Sequence, residues 1–165
     1  MFNFLPFSEN HLPHLRHWLN QEHVKKFWQE SSNDQKLSEK FLIELPRRGV
    51  WPFVIEHKNR EIGYIQYYDA TKVGDGWWLN ETSGTFGIDL MIGQPELLGQ
   101  GIGPQVITEF ISFTRKREPT VESIIIDPDP NNKIAIRAFE KAGFRTESEI
   151  ETPGGPALLM RIRLS

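Results

Sequence analysis

The spacing of apolar residues along this chain changes repeatedly between two and three-to-four, and each change marks an element. Residues 2 to 7 alternate as a first strand. Leu12, Leu15, Trp18 and Leu19 then recur at helical spacing behind two candidate caps, Ser8 and Asn10. A further helix is expected from Asp34 to Leu45, stopped by Pro46. Trp51 to His57 and Ile62 to Tyr68 read as strands joined by the polar turn Lys58-Asn59-Arg60, hence as a hairpin. Thr85 to Ile92 is the expected central strand, and Ile102, Val106, Ile107, Phe110 and Ile111 form the apolar face of a helix ending near Arg117.

Ile124 to Asp127 begins as an unbroken apolar run, the pattern of a buried parallel strand. Asn132 to Ala142 reads as a helix with Ile134, Ala135, Ala138, Phe139 and Ala142 inward and Gly143 at its C-cap. Arg145 to Glu151 and Ala157 to Leu164 close the chain as a hairpin across Pro153-Gly154-Gly155-Pro156. Strands before, between and after helices imply one α/β domain over residues 1–165, a mixed sheet of about seven strands with helices on both faces.

Chemistry enters at Leu97-Leu98-Gly99-Gln100-Gly101-Ile102-Gly103-Pro104. Glycine at every second position presents backbone rather than side chain, and Pro104 suits the first turn of the helix that follows. Amides exposed at a helix start suit a phosphate or pyrophosphate. The alternative is a tight turn that only starts a core helix. A Walker loop is excluded because no Gly-Lys-Ser/Thr follows, and the glycines do not match the Gly-x-Gly-x-x-Gly dinucleotide fingerprint.

A second stretch stands about 30 residues on: Ile124-Ile125-Ile126-Asp127-Pro128-Asp129-Pro130-Asn131-Asn132, then Ala135-Ile136-Arg137-Ala138-Phe139-Glu140-Lys141-Ala142-Gly143-Phe144. The two motifs in this order resemble the acetyl-CoA-binding half of the GNAT N-acetyltransferases. Gly74-Asp75-Gly76-Trp77-Trp78, Gly87-Ile88-Asp89 and Thr152-Pro153-Gly154-Gly155-Pro156-Ala157 are similar to the aminoglycoside 6'-N-acetyltransferase branch.

The resemblance implies a mostly antiparallel sheet whose strands ending near Ile92 and Asp127 splay apart to admit acetyl-CoA. It implies cofactor contacts from Leu98, Gly99, Gln100, Gly101, Ile102, Gly103 and Pro104, from the Leu90-Met91-Ile92 backbone, and from Asn132 and Phe139. Pantetheine would pair with residues 90–92 like an added strand, and an N–H of the same strand would stabilise the oxyanion. Asp89 matches the family carboxylate proposed to anchor the acceptor ammonium and take its proton. Asp127 matches an acidic substrate-binding position. As residues alone, Asp89 has a second reading as a turn or surface carboxylate and Asp127 as a helix cap. Where many members carry the Tyr held to protonate the leaving thiolate, this chain has Phe139, which cannot donate a proton.

Composition narrows the partner. Between Asp69 and Gly84, Asp69, Asp75 and Glu81 face a single Lys72 and flank Trp77-Trp78, a combination that favours a cationic, partly apolar ligand. Read otherwise, this is a solvated acidic loop with its Trp rings packed inward. Net charge of −3 argues against a general nucleic-acid binder, so Arg47-Arg48 and Arg115-Lys116-Arg117 read as solvated helix ends. With no cysteine, thiol nucleophiles, disulfides and Cys-based zinc sites are excluded. His11, His14 and His17 recur every third residue without a completing carboxylate or Cys, so no metal is expected. No leader or membrane-length apolar run is read, and a cytoplasmic protein, monomeric or weakly dimeric, is expected.

The expected activity is therefore acetyl-CoA-dependent N-acetylation of a cationic small molecule, an aminoglycoside first. Acetylation of a siderophore lysine, a polyamine or a protein amine is the enzymatic alternative. A CoA-binding sensor without catalysis is the other, kept open by Phe139.

Overall fold

The computed structural model describes residues 1–30, 33–73 and 81–164. In chain order the elements are β1 (Phe2–Pro6), α1 (Leu12–Leu19), α2 (Glu22–Lys25), α3 (Asp34–Ser38), α4 (Leu45–Arg47), β2 (Val50–His57) and β3 (Arg60–Asp69). There follow β4 (Thr85–Ile92), α5 (Ile102–Arg117), β5 (Ser123–Ile126), α6 (Lys133–Lys141), β6 (Arg145–Thr152) and β7 (Gly155–Arg163). The strands form one seven-stranded sheet in the order β1-β2-β3-β4-β5-β7-β6. The β4–β5 pair is parallel, whereas β1–β2, β5–β7 and β6–β7 are antiparallel.

Contacts gather the chain into two compact units, Met1–Tyr67 with Asp89–Leu98, and Tyr68–Ile88 with Gly99–Ser165, so β4 contributes residues to both. In the first unit, α1 buries Leu15, Trp18 and Leu19, each aliphatic side chain stabilising by about 1.5–3 kcal/mol. The Gly93 backbone lies against the Trp18 ring where any side chain would collide. The β2–β3 hairpin turns at Lys58 and Asn59, whose φ angles of 53° and 61° mark a tight turn matched to the strand twist.

Proline did not end the third helical stretch as its sequence suggests. After α3 the backbone opens into a π-helical turn over Glu39–Glu44 and re-enters α geometry with Pro46 inside Leu45–Arg47. A widened turn shifts the bonding partners, and proline occupies a site where its missing N–H and its ring do no harm.

In the second unit, β5 is buried along its whole length between β4 and β7. Pairing with β4 runs Thr85↔Ser123, Phe86↔Ile124 and Gly87↔Ile125 and stops there, although β4 continues to Ile92. Gly87 carries the Tyr68 ring where a Cβ would stand. Helix α6 is rotated relative to the sequence expectation: Ile136 and Phe139 are buried, while Ile134 is 62% exposed. Gly143, at φ 107°, turns the chain out of α6 into β6. β6 is an exposed edge, and its charges at Arg145, Glu147, Glu149 and Glu151 discourage further strand pairing.

Candidate active site

The first unit carries the candidate reacting carboxylate. Asp89 lies on β4, half-buried, and its Oδ2 accepts a 2.9 Å hydrogen bond from Gln66 Nε2 on β3. Gln66 Oε1 in turn accepts a 2.6 Å bond from the Tyr64 hydroxyl. Residues 64 and 66 share a strand face because side chains alternate with period two. Tyr64 is fully enclosed, with Phe7, Trp28 and Phe41 packed edge-on at ring distances of 5.3 to 5.9 Å. Beside this network Lys40 and Glu30 form an ion pair.

Burial pushes the Asp89 carboxyl above its ordinary range, with the Gln66 hydrogen bond and the Lys40 charge pulling the other way. Burial also raises the Tyr64 hydroxyl well above its ordinary value, helped by the negative charges of Asp89 and Glu30. Tyr64 is thus a neutral donor at any working pH, while Asp89 is a stronger base than a surface aspartate. Further along β4, the Ile92 carbonyl is 2.8 Å from His23 Nε2 on α2, and the Gly93 amide donates to the Ile62 carbonyl. These bonds tie down the strand end that follows Leu90 and Met91.

The second unit carries the glycine loop. Gly99 and Gly101 have φ of 74° and 76°, and a Cβ at either would meet nothing within 4 Å. Both glycines therefore hold backbone geometry that other residues resist while facing open space. Gly101 is the N-cap of α5, so the amides of Gly101, Ile102 and Gly103 fall at the helix start, where no intrahelical acceptor exists. Pro104, third in the helix, has no N–H to lose. Gly103 has a different duty, since its Cβ would stand 3.4 Å from Ala138 Cβ on α6. Open space and close helix packing thus fall to different members of one glycine run.

Asn132 caps α6, its Oδ1 accepting from the Ala135 amide at 3.3 Å, which leaves its amide nitrogen as a donor. Asp127 follows β5 directly and is half-buried. Phe139 is 3% exposed and meets Phe144 edge-on at 5.4 Å, so its ring belongs to the core of this unit. Glu81, read in the sequence as an acid for a cationic ligand, already has a cation: Arg161 Nη2 stands 2.7 Å from its Oε2, both side chains being about nine-tenths buried. Arg161 also meets Glu147 at 3.0 Å and the Ser123 hydroxyl at 3.1 Å, and the Glu81 and Glu147 bonds raise its already high pKa further. Asp75, Trp77 and Trp78 lie outside the described residues.

Sequence reasoning missed Tyr64, Gln66, Lys40 and Glu30. One signal was present: a glutamine on the buried face of a strand otherwise filled by Ile62, Tyr64 and Tyr68 needs a polar partner. The three histidines of the first helical stretch have partners. His11 lies 3.4 Å from Glu61, which also pairs with His14, while His17 meets Gln21. Among the described residues no group of three or more His, Cys, Asp or Glu is arranged to hold a metal ion.

A carboxylate of raised basicity on a strand, and open main-chain amides at a glycine-rich helix start, are groups that an acyl-transfer enzyme with a phosphorylated acyl carrier could use. The chain belongs to the GNAT acetyltransferases: the family model described as an acetyltransferase (GNAT) domain matches residues 8–152. It is 35% identical over 158 residues to the aminoglycoside N(6')-acetyltransferase type 1 of Klebsiella pneumoniae, covering 93% of this chain and 78% of the relative. The solved structure of aminoglycoside acetyltransferase AAC(6')-Ib in complex with coenzyme A superposes with a TM-score of 0.91 at 33% identity, covering 99% of this chain and 95% of that one. The same enzyme in complex with coenzyme A and kanamycin gives the same TM-score, 0.91, at 33% identity and with the same coverage, 99% and 95%. Among the described residues no helix is long and apolar enough to cross a membrane.

Proposed function

We propose that this protein is an aminoglycoside 6'-N-acetyltransferase, moving the acetyl group of acetyl-CoA to an amino group of the antibiotic. The observation that carries the reading is Asp89, a carboxylate made more basic by burial at a strand position where GNAT enzymes meet their acceptor. The family relationship supports the reaction class, and the similarity to kanamycin-binding and ribostamycin-binding structures supports the acceptor class.

The glycine loop fits the cofactor, because Gly99 and Gly101 face open space and α5 offers unpaired amides there. Main-chain donors from Gly99 to Gly103 would hold the pyrophosphate, since the Leu98 amide already donates to the Pro95 carbonyl and Pro104 has no N–H; Asn132 would add its amide nitrogen, and the Leu90–Ile92 backbone would pair with the pantetheine arm. When bound, acetyl-CoA supplies an activated acyl group on a thiol that leaves readily.

Asp89 then does two things. Ionised, it attracts the acceptor ammonium and accepts one of its protons, which frees the nitrogen lone pair to attack the acyl carbon; the second proton, lost from nitrogen as the amide forms, balances the departing thiolate. Overall, an ammonium and a thioester give an amide, a thiol and one proton, which Asp89 releases to water. Asp127, and Asp75, Trp77 and Trp78, are assigned to binding the polycationic acceptor. Glu81 contributes by fixing the end of the acidic loop to Arg161 rather than by touching the acceptor. No residue is assigned to protonate the thiolate; Phe139 fills that position and packs the core. Action in the cytoplasm, where acetyl-CoA is made, completes the reading.

The test is thiol release from acetyl-CoA over kanamycin, ribostamycin, spermidine and lysine. Release with the aminoglycosides far above the other amines is expected. Release with spermidine or lysine alone would assign the fold to another acceptor. Binding of acetyl-CoA without release for any amine would make the chain a sensor.

A further inference from the structure

Asp89 is useful as a base only if one oxygen is held and the other is free to meet the acceptor. We propose that Tyr64 and Gln66 are positioning residues: the Tyr64 hydroxyl orients the Gln66 amide, and Gln66 fixes Asp89 by Oδ2 so that Oδ1 faces the acceptor nitrogen. The inference rests on Asp89 being the proton acceptor.

The direction of the relay follows from its chemistry. A carboxylate only accepts, so the Gln66 atom facing Oδ2 at 2.9 Å must be the NH2 group. Its carbonyl oxygen then points the other way, where the Tyr64 hydroxyl donates at 2.6 Å. Without that hydroxyl, a flip of the amide would bring oxygen against carboxylate, and the strand would hold Asp89 in two orientations instead of one. Tyr64 can serve as an anchor because its ring is immobilised by Phe7, Phe41 and Trp28 and its burial keeps the hydroxyl protonated.

The charged and titratable groups acting on Asp89 from the packed elements are Tyr64 on β3 and Lys40 on the π-helical turn, the latter paired with Glu30. Lys40 is held by Glu30, so the hydrogen bond that aims the carboxylate is the one from Gln66. The relay also acts on basicity: Gln66 opposes the rise that burial imposes, and Asp89 remains a stronger base than a surface aspartate.

The experiment compares Asp89→Asn, Gln66→Leu, Tyr64→Phe and the double variant Tyr64→Phe/Asp89→Asn in the full chain. The pH profile of kcat is measured with acetyl-CoA and kanamycin, and CoA affinity by calorimetry. Asp89→Asn should slow turnover roughly 10²-fold or more and abolish the acid limb. Gln66→Leu should lower kcat about tenfold, the scale of one lost hydrogen bond to a charged group, and move the acid limb to higher pH. Tyr64→Phe should do the same more weakly, CoA affinity should hold throughout, and the double variant should be no slower than Asp89→Asn.

A Gln66→Leu protein with wild-type kcat and an unmoved acid limb, beside a crippled Asp89→Asn, overturns the relay and leaves the base assignment standing. A fully active Asp89→Asn overturns both. A double variant slower than Asp89→Asn makes Tyr64 structural and also overturns the relay. Should Gln66→Leu fail to fold, the nearly isosteric Tyr64→Phe decides by the same readouts.

Discussion

Gly101 allows stability and ligand binding to be separated by substitution. Its φ of 76° is left-handed, and a Cβ there would meet nothing within 4 Å, so a substituent strains the backbone without striking protein. For Ala the strain is about 1–2 kcal/mol. In a chain of this size that corresponds to a fall in Tm of roughly 2–8 °C. Asn tolerates the left-handed region and is also a favoured N-cap, the position Gly101 holds on α5, so Gly101→Asn should unfold close to the wild type. Both side chains nevertheless enter the space assigned to the pyrophosphate, and the Asn carbonyl would set a partial negative charge against it. Calorimetric titration with CoA should therefore show affinity falling at least about tenfold for Gly101→Ala, roughly one lost amide–phosphate bond, and further for Gly101→Asn. Differential scanning of the same samples should show the opposite ranking, Ala being the less stable. A folded Gly101→Asn protein with wild-type CoA affinity would remove the glycine loop from the cofactor site. Equal losses of stability and affinity in both variants would mean that the glycines serve backbone geometry alone.

Three further outcomes follow from the packing. Because burial raises the Asp89 pKa, folding favours its neutral form; that contribution is complete below the ordinary carboxylate pKa and lost as pH rises through the folded value. Asp89→Asn should thus unfold at the same or a higher temperature than the wild type at pH 7 while losing turnover, and a clearly lower Tm would contradict the burial argument. Phe139→Ala should destabilise by about 3–5 kcal/mol in urea titration, since it opens a cavity beside Phe144; Phe139→Tyr should change kcat less than about tenfold, because a thiol of pKa about 8.5 leaves without an acid. Arg161→Met removes the cation from two carboxylates, one of them largely buried, and should cost about 3–5 kcal/mol, most of it restored in Arg161→Met/Glu81→Gln; an additive double variant would show that the pair is not coupled.

What the sequence determined by itself is what depends on neighbours along the chain. Alternation marked β4 from Thr85 to Ile92, an apolar run marked β5, the three-to-four spacing ended α5 at Arg117, and Gly143 closed α6, because period, cap and turn residue act within a few positions. The glycine-rich start of α5 was legible for the same reason: glycine spacing and a helix start are local. Tertiary structure decided what depends on register between distant segments. Glu81 meets Arg161 80 residues away, and Gln66 meets Asp89 23 residues away. Likewise Ile136 rather than Ile134 turns inward on α6, since both suit a helix and only the surface it packs on selects the phase. Pro46 stayed within a helix because a π turn, specified by packing rather than propensity, rearranged the bonds it would have broken. A strand of period two says which residues share a face, but partners across that face are chosen by chain segments folded against it, and that choice made Asp89 a held, basic carboxylate.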